Sequence, residues 1–523
     1  MALGAGTTTL VGCSSEANNA KEQAKTPNAA EKQGRWSWSI APAAIADGDI
    51  AQTLDCDVLI LGAGSAGVPA AYYASEQGAR TIVMQKYEKA QSNGWSIGAF
   101  NTKHDSEFGI EYNPAEIRTK MAFYTNGRAN INLICTIIDK SGNALDWIAD
   151  KMEDEKPVMM VSDATETRDG NPTHLIYFWV NGEDMSTRYD AFAEAIDIMV
   201  SRAEKNGTQF LYSTPAVQLV TDDSGKVTGA VGLGPDGYVK VNASKGVLLA
   251  TGDISDDDEM LECYCPTQLG IPRLSPYGTC TGDGHKMALW AGAKMDRAPF
   301  CLGMTVSYNG DGVGAFYSQT WLRVNVNGER FTNEDIVNHP INDFQPMATA
   351  DSLQPEHIGI QILDSNFTED IDIDAFMQLV ENGEILHADT IEELAERAGI
   401  EPNALVKTVE RYNNLAENGE DTDFGASAET LQRNAVKEAP FYAIKQPVGQ
   451  MSTIGGVCTN DRLEVIDEKG RVINGLYAAG NLLGGCYGYE YPWVEFAATN
   501  KMHAMAGGMI AIKSMLGTFD EEF

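Results

Sequence analysis

No apolar run of about 18 residues or more occurs in this chain, so no segment is long enough to cross a bilayer as a helix. No Cys-x-x-Cys pair occurs either, which excludes a thioredoxin-type dithiol; with no Cys-x-x-Cys-His, c-type haem attachment is excluded too. Basic residues are scarce: 38 Lys and Arg stand against 74 Asp and Glu, a net charge of −36. Such a surface repels nucleic acid and anionic lipid alike. The seven histidines show no metal-ligand spacing. The nine cysteines are odd in number and scattered, against a disulfide framework. Cys263, Cys265, Cys280 and Cys301 form one loose cluster whose spacing fits no ferredoxin pattern. An iron–sulfur site stays open there beside the alternatives of buried hydrophobes and turn residues.

At 523 residues the chain is too long for a single core. Its first 53 residues differ in kind from the rest. Leu10-Val-Gly-Cys13 resembles a bacterial lipoprotein cleavage box with Cys13 as the lipid-bearing residue, which implies export to the cell envelope. The basic stretch expected ahead of such a box is missing, so the chain would start downstream of a full signal; the alternative is a cytoplasmic protein with an N-terminal tail and a chance cysteine. Residues 14–32 read as a disordered spacer, with Trp36 and Trp38 marking where the chain begins to dock.

The most telling segment follows. Val58–Leu61 reads as a buried parallel strand, and Gly62-Ala-Gly64-Ser65-Ala66-Gly67 as the turn into a helix. Gly62 permits the sharp turn, Gly64 the close approach of backbone to a pyrophosphate, and Gly67 the close packing of helix on strand. The helix start offers N–H groups and a positive dipole end to phosphates. A second strand, 81–84, ends at Gln85, where an acidic residue usually holds the ribose; the Gln85 amide oxygen is expected to accept that hydrogen bond. Helical periodicity marks 115–150 and 187–205, and alternation marks strands over 208–212, 216–221, 226–234 and 238–242, with a buried strand from 247. Strand-and-helix order at both ends around mixed structure in the middle indicates an insertion.

Five separated motifs then agree: Gly62–Gly67, Ala250-Thr-Gly252, Thr281-Gly-Asp-Gly284, Asn327-Gly-Glu-Arg-Phe-Thr-Asn-Glu334 and Gly475-Leu-Tyr-Ala-Ala-Gly-Asn481. Together they resemble the flavoprotein family of fumarate reductase and 3-ketosteroid 1-dehydrogenase. The resemblance runs from residue 54 to the end. It implies an α/β fold: a Rossmann-like FAD-binding domain of the glutathione-reductase type, over 54–296 and 447–523, with an inserted α+β capping domain over 297–446. It implies non-covalent FAD, because the loop where some relatives carry a tethering histidine reads Ser92-Asn-Gly-Trp95; His104 nearby is structural. The family pattern assigns the pyrophosphate to Gly62, Gly64, Ser65, Ala66 and Gly67, and the adenosine ribose to Gln85 and Lys86. Ser92, Asn93 and Gly98 follow the phosphates toward the flavin, with Gly252 in the facing turn. Ala216 and Val217 fall where adenine is bound through backbone, and Asp283 and Asn481 where the second ribose and ribityl chain are held.

The departures carry the functional reading. Fumarate reductases clamp a dicarboxylate with cationic groups. At those positions this chain has Ala298, Asn338, Ser452 or Met451, and Tyr491, all neutral, so it is expected not to reduce fumarate. Tyr491 instead matches the ketosteroid dehydrogenase tyrosine that polarises a substrate carbonyl, while that family's second tyrosine falls on Asn338. Proton delivery is left to Tyr489, Glu490, Glu495 or His339, each equally readable as a bystander. The expected activity is FAD-dependent reduction of a C=C bond conjugated to a carbonyl, in an unsaturated lactone, enone or steroid-like ring; overall likeness to the flavoprotein reductases of cardiac glycosides points the same way. Electrons would come from a cytochrome or quinol system. The alternatives are a 3-ketosteroid 1-dehydrogenase working in the oxidising direction and a non-catalytic flavin electron-transfer module.

Overall fold

In a computed structural model of the full chain, the residues described are 36–92, 96–107, 109–155, 157–161, 176–180, 188–274, 278–306, 313–338, 345–367, 371–489, 491 and 499–523. The chain divides into two units, Met1–Ile40 and Ala41–Phe523. In the first, Ser37–Ser39 forms a 3-10 turn and the Trp36 and Trp38 rings stack at 6.3 Å. Cys13 and the spacer lie outside the described residues.

The second unit is built on an eight-stranded sheet. Its centre is β1 (Ile50–Leu61), flanked in parallel by β2 (Thr81–Met84) and β3 (Gly237–Leu249). Beyond β2 comes Gln209–Leu211, and beyond β3 comes β5 (Val472–Ala478), both parallel. Val58–Leu61 are fully buried, as strands of a parallel sheet covered on both faces are. One cover is α1 (Gly67–Glu76), and another is α3 (Thr499–Leu516), which packs on α1 where Gly508 lets it approach the Ala66 carbonyl. The expected linker boundary at 53 lies inside β1, which begins at Ile50.

A second, antiparallel sheet is drawn from residues 301–454, around the long strand β4 (Phe441–Ile454). The expected domain boundary at 446 falls inside β4, a continuous strand that pairs with Cys301–Val306 near its C-terminal end and with Ile358–Leu363 near its start. A small three-stranded sheet joins Ser96–Ile97, Ile176–Val180 and Pro157–Val161.

Two expectations for local structure need correction. The helix expected over 115–150 is two, Pro114–Tyr124 and α2 (Ile131–Lys151), because Asn126 (φ 51°) and Gly127 (φ 66°) take left-handed conformations that end the first. The strands expected at 238–242 and from 247 are one, β3, which passes a register shift opposite Cys56 and Val58 with Gly246 at φ 147°.

Candidate functional site

The parallel strands β1, β2, β3 and β5 all end at one cleft, as ligand sites of open α/β sheets do. Its walls are the segments that follow those strands: Gly62–Ala66 after β1, Gln85 and Lys86 after β2, Ala250–Asp253 after β3, and Gly480 and Asn481 after β5. Asn500, Lys501 and Ala504 of α3 complete it, around about 1120 Å³ of space open to solvent on one side.

The glycine turn is sterically determined. A Cβ on Gly67 would meet the Gly62 carbonyl oxygen at 1.9 Å, and one on Gly62, at φ 107°, would meet the Ala250 carbonyl oxygen at 2.3 Å. At Gly64 the nearest neighbour of a Cβ would be the Gln91 carbonyl at 3.4 Å, so a side chain there would stand in the cleft rather than in the protein. Gly67 does its work from behind and does not line the cleft.

The other expected cofactor residues are placed as follows. Ser65 and Ser92 face each other, Oγ to Oγ at 2.6 Å. Lys86 Nζ donates to Thr281 Oγ1 at 2.5 Å and pairs with Asp283 Oδ2 at 3.1 Å, so two expected ligand residues are joined to each other in the cleft wall. The Gln85 side chain differs from its expected role. Its Oε1 accepts the Ala63 N–H at 3.2 Å and its Nε2 donates to the Lys89 carbonyl at 3.0 Å, so this amide ties the glycine turn to the loop after β2. Ala216 lines the cleft. Val217 does not, and the ladder skips it: Ala216 pairs with Gly232 and Gln218 with Val231. Asn481 Nδ2 lies 3.4 Å from Asp253 Oδ2. Gly98 is buried and away from the cleft, and Asn93 lies outside the described residues.

Among the cleft residues that were not anticipated are Gln91, Asp253, Asn500 and Lys501. Burial pushes the Asp253 carboxyl up, against hydrogen bonds from the Ser255 hydroxyl and N–H and from Asn481. Burial pulls the Lys501 ammonium down to about 7. Gln91 Nε2 and Thr251 Oγ1 are buried in the wall without a protein partner, polar groups that a bound polar molecule would satisfy.

The expected catalytic residues are not gathered in the same way. Tyr491 is buried; its hydroxyl accepts the Asn500 N–H at 3.0 Å and shares a hydrogen bond with Thr499 Oγ1 at 2.9 Å. It thus satisfies the start of α3, one residue behind the cleft-lining Asn500, and does not itself line the cleft. Tyr489 is 51% exposed, with the Arg128 guanidinium 4.1 Å above its ring. Asn338 closes the 3-10 turn Glu334–Asn338; Glu490, Glu495 and His339 lie outside the described residues. His104 pairs with Glu107 at 2.9 Å. Among the described residues no three His, Cys, Asp or Glu side chains converge as metal ligands. Burial raises the Cys265 thiol to about 12 and Cys280 in the same direction.

Comparison with known proteins accounts for the cleft. The model of a family described as an FAD binding domain matches residues 57–492. The chain is 30% identical over 449 residues to a probable fumarate reductase of Shewanella frigidimarina, covering 83% of this chain and 71% of that protein. It is 27% identical to a vinyl phenol reductase of Lactiplantibacillus plantarum, covering 83% of this chain and 92% of that one. Among solved structures, the open conformation of a flavocytochrome c3 fumarate reductase superposes with a TM-score of 0.67 at 26% identity, over 90% of this chain and 80% of the other. A 3-ketosteroid-delta4-(5alpha)-dehydrogenase from Rhodococcus jostii RHA1 shares the fold at a TM-score of 0.65 and 22% identity, over 91% of this chain and all of that one. The glycine turn, the open face of Gly64 and the unpartnered polar atoms of the wall fit FAD. This chain belongs to the FAD binding domain family and is an FAD-dependent oxidoreductase acting on CH–CH groups.

Proposed function

We propose that the protein reduces a carbon–carbon double bond conjugated to a carbonyl, in a bulky and uncharged substrate such as an unsaturated lactone, including a cardenolide, or a steroid-like enone. One observation carries this reading: the positions at which the family clamps a dicarboxylate are Ala298, Asn338, Ser452 or Met451, and Tyr491. A substrate with two carboxylates would leave its charges unmatched there. The likeness to a vinyl phenol reductase, whose name denotes a substrate without a carboxylate, supports it.

When bound and reduced by the external donor, the flavin would supply a hydride at N5. Tyr491 is assigned to the substrate carbonyl. Burial pushes its phenol up, so it stays protonated and able to donate at neutral pH. Donation to a substrate would take the proton now shared with Thr499. Tyr489, Glu490, Glu495 and His339 are the proposed sources of the proton delivered to carbon, since the Asn338 amide does not titrate. Electrons are proposed to arrive from a cytochrome or quinol system; relatives named as cytochrome-dependent, quinol-dependent and NADH-dependent fumarate reductases support an external donor of this general kind. Export with lipid attachment at Cys13 remains part of the proposal, and no described helix is long and apolar enough to cross a membrane.

The test is anaerobic. The protein is reduced with dithionite, and flavin absorbance is followed as fumarate, a cinnamate, a 3-ketosteroid or a cardenolide lactone is added. Reoxidation by the bulky neutral enones alone is expected; reoxidation by fumarate would refute the reading of the neutral positions. Tyr491→Phe should retain FAD and lower turnover by about a hundredfold to a thousandfold, as loss of one polarising donor does. A variant that turns over at the wild-type rate but melts earlier would reduce Tyr491 to a helix cap. The second reading, 3-ketosteroid dehydrogenation in the oxidising direction, is favoured by Tyr491 within Gly488–Pro492 and opposed by Asn338 and Glu495. It predicts flavin reduction by a saturated 3-ketosteroid.

A further inference from the structure

Three segments remote in sequence meet in the cleft wall. Ser65 belongs to the glycine turn, Ser92 to the loop after β2, and Lys501 to the first turn of α3. Lys501 Nζ lies 2.8 Å from Ser65 Oγ and 3.3 Å from Ser92 Oγ, and the two hydroxyls are 2.6 Å apart. All three residues line the cleft.

The location within the cleft is informative. The turn carrying Ser65 ends β1 and begins α1, and its neighbouring N–H groups are those that face phosphates in dinucleotide folds. The end of β2, where the adenosine ribose is expected, has its own cation: Lys86, which is bound to Asp283 and Thr281. Backbone N–H groups and a helix dipole supply only partial positive charge, whereas the pyrophosphate of FAD carries two full negative charges. We propose that Lys501 is the cation that neutralises the FAD pyrophosphate, oriented toward it by the hydroxyls of Ser65 and Ser92. A cation desolvated in this wall is costly by itself, the direction in which its acidity is shifted, and an adjacent phosphate offsets that cost. The assignment is independent of the substrate proposed above.

The test reads binding rather than turnover. Full-length wild type and Lys501→Met, freed of flavin by dialysis, are titrated with FAD, ADP and riboflavin over a range of salt concentrations. Lys501→Met should weaken FAD and ADP by about tenfold or more, the effect of losing a charge-assisted contact, and leave riboflavin unchanged. Its salt dependence should be shallower than that of wild type, and Lys501→Arg should keep most of the FAD affinity. Unchanged FAD affinity in Lys501→Met would overturn the proposal. An equal loss for riboflavin would also overturn it, by putting the lysine on the flavin ring. If Lys501→Met does not fold, the wild-type protein still decides: FAD affinity that falls with salt no more steeply than riboflavin affinity excludes an ionic contact with the phosphates.

Discussion

The sheet that holds FAD and the sheet of residues 301–454 are buried by opposite means. Around β1 the interior is apolar, and the close approaches are made by glycines against backbone carbonyls. In the second region the interior holds ions. Arg323 pairs with Asp351 at 2.6 Å, both almost wholly buried, and also reaches Gln446 at 2.7 Å. Arg330 bridges Glu334 at 2.5 Å and Asp421 at 2.8 Å. Gly359 leaves room for this network, since a Cβ there would meet Asp351 Oδ1 at 2.2 Å. The contrast separates two tasks. A dry, close-packed turn fixes where a cofactor lies, while buried ion pairs fix which neighbours a strand accepts without adding much net stability. The second network also ties together the chain on both sides of residues 339–344.

The contrast can be broken most severely at Gly67. Gly67→Val should abolish both folding and flavin binding, because the side chain has only the Gly62 carbonyl to occupy; soluble yield and flavin absorbance report it. Arg323→Met should cost about 3–5 kcal/mol by stranding Asp351, and Arg323→Met with Asp351→Leu should recover most of that, as measured by denaturant unfolding. If the double variant is no more stable than the single one, the pair contributes more than neighbour selection. The mildest probe is acid. Burial opposes ionisation of Asp421, but Arg330 and the N–H groups of Ala426, Phe424 and Asp423 outweigh it and hold the carboxyl at about 2, below its ordinary 3.8. A depressed carboxyl stabilises the fold above its unfolded value and loses that contribution as pH falls through its folded value. Asp421→Asn should therefore flatten the acid limb of the stability curve between pH 3.8 and about 2, and leave the slope above it unchanged.

What could be read from the sequence follows the same division. The FAD half was legible because Gly62, Gly64 and Gly67 answer to hard sterics at fixed spacing. Lys501 was not, because a lysine in the first turn of a closing helix reads as solvated until the fold brings it to Ser65. The division of the helix after Tyr124 had a signal in Asn126-Gly127, a pair suited to left-handed backbone, which the apolar periodicity on either side obscured. Gly246, between the two strands expected at 238–242 and from 247, accommodates a bulge beside the Tyr477 ring, where a Cβ would come within 2.9 Å. Arg330 and Glu334 stand four apart in a motif visible in the sequence, but the other buried ion pairs of the second region, such as Arg330 with Asp421 and Arg323 with Asp351, left no pattern there because they are joined only by tertiary contact. Catalytic residues were the least legible, being loop positions whose chemistry depends on who faces them.

The cleft draws its walls from both extremities of the folded body: the glycine turn is made by residues 62–67, and the facing wall by Gly480, Asn481, Asn500, Lys501 and Ala504. During synthesis the phosphate turn thus emerges more than four hundred residues ahead of the lysine that meets it. A chain lacking α3 carries the glycine turn without the wall that faces it, and is expected to bind no FAD.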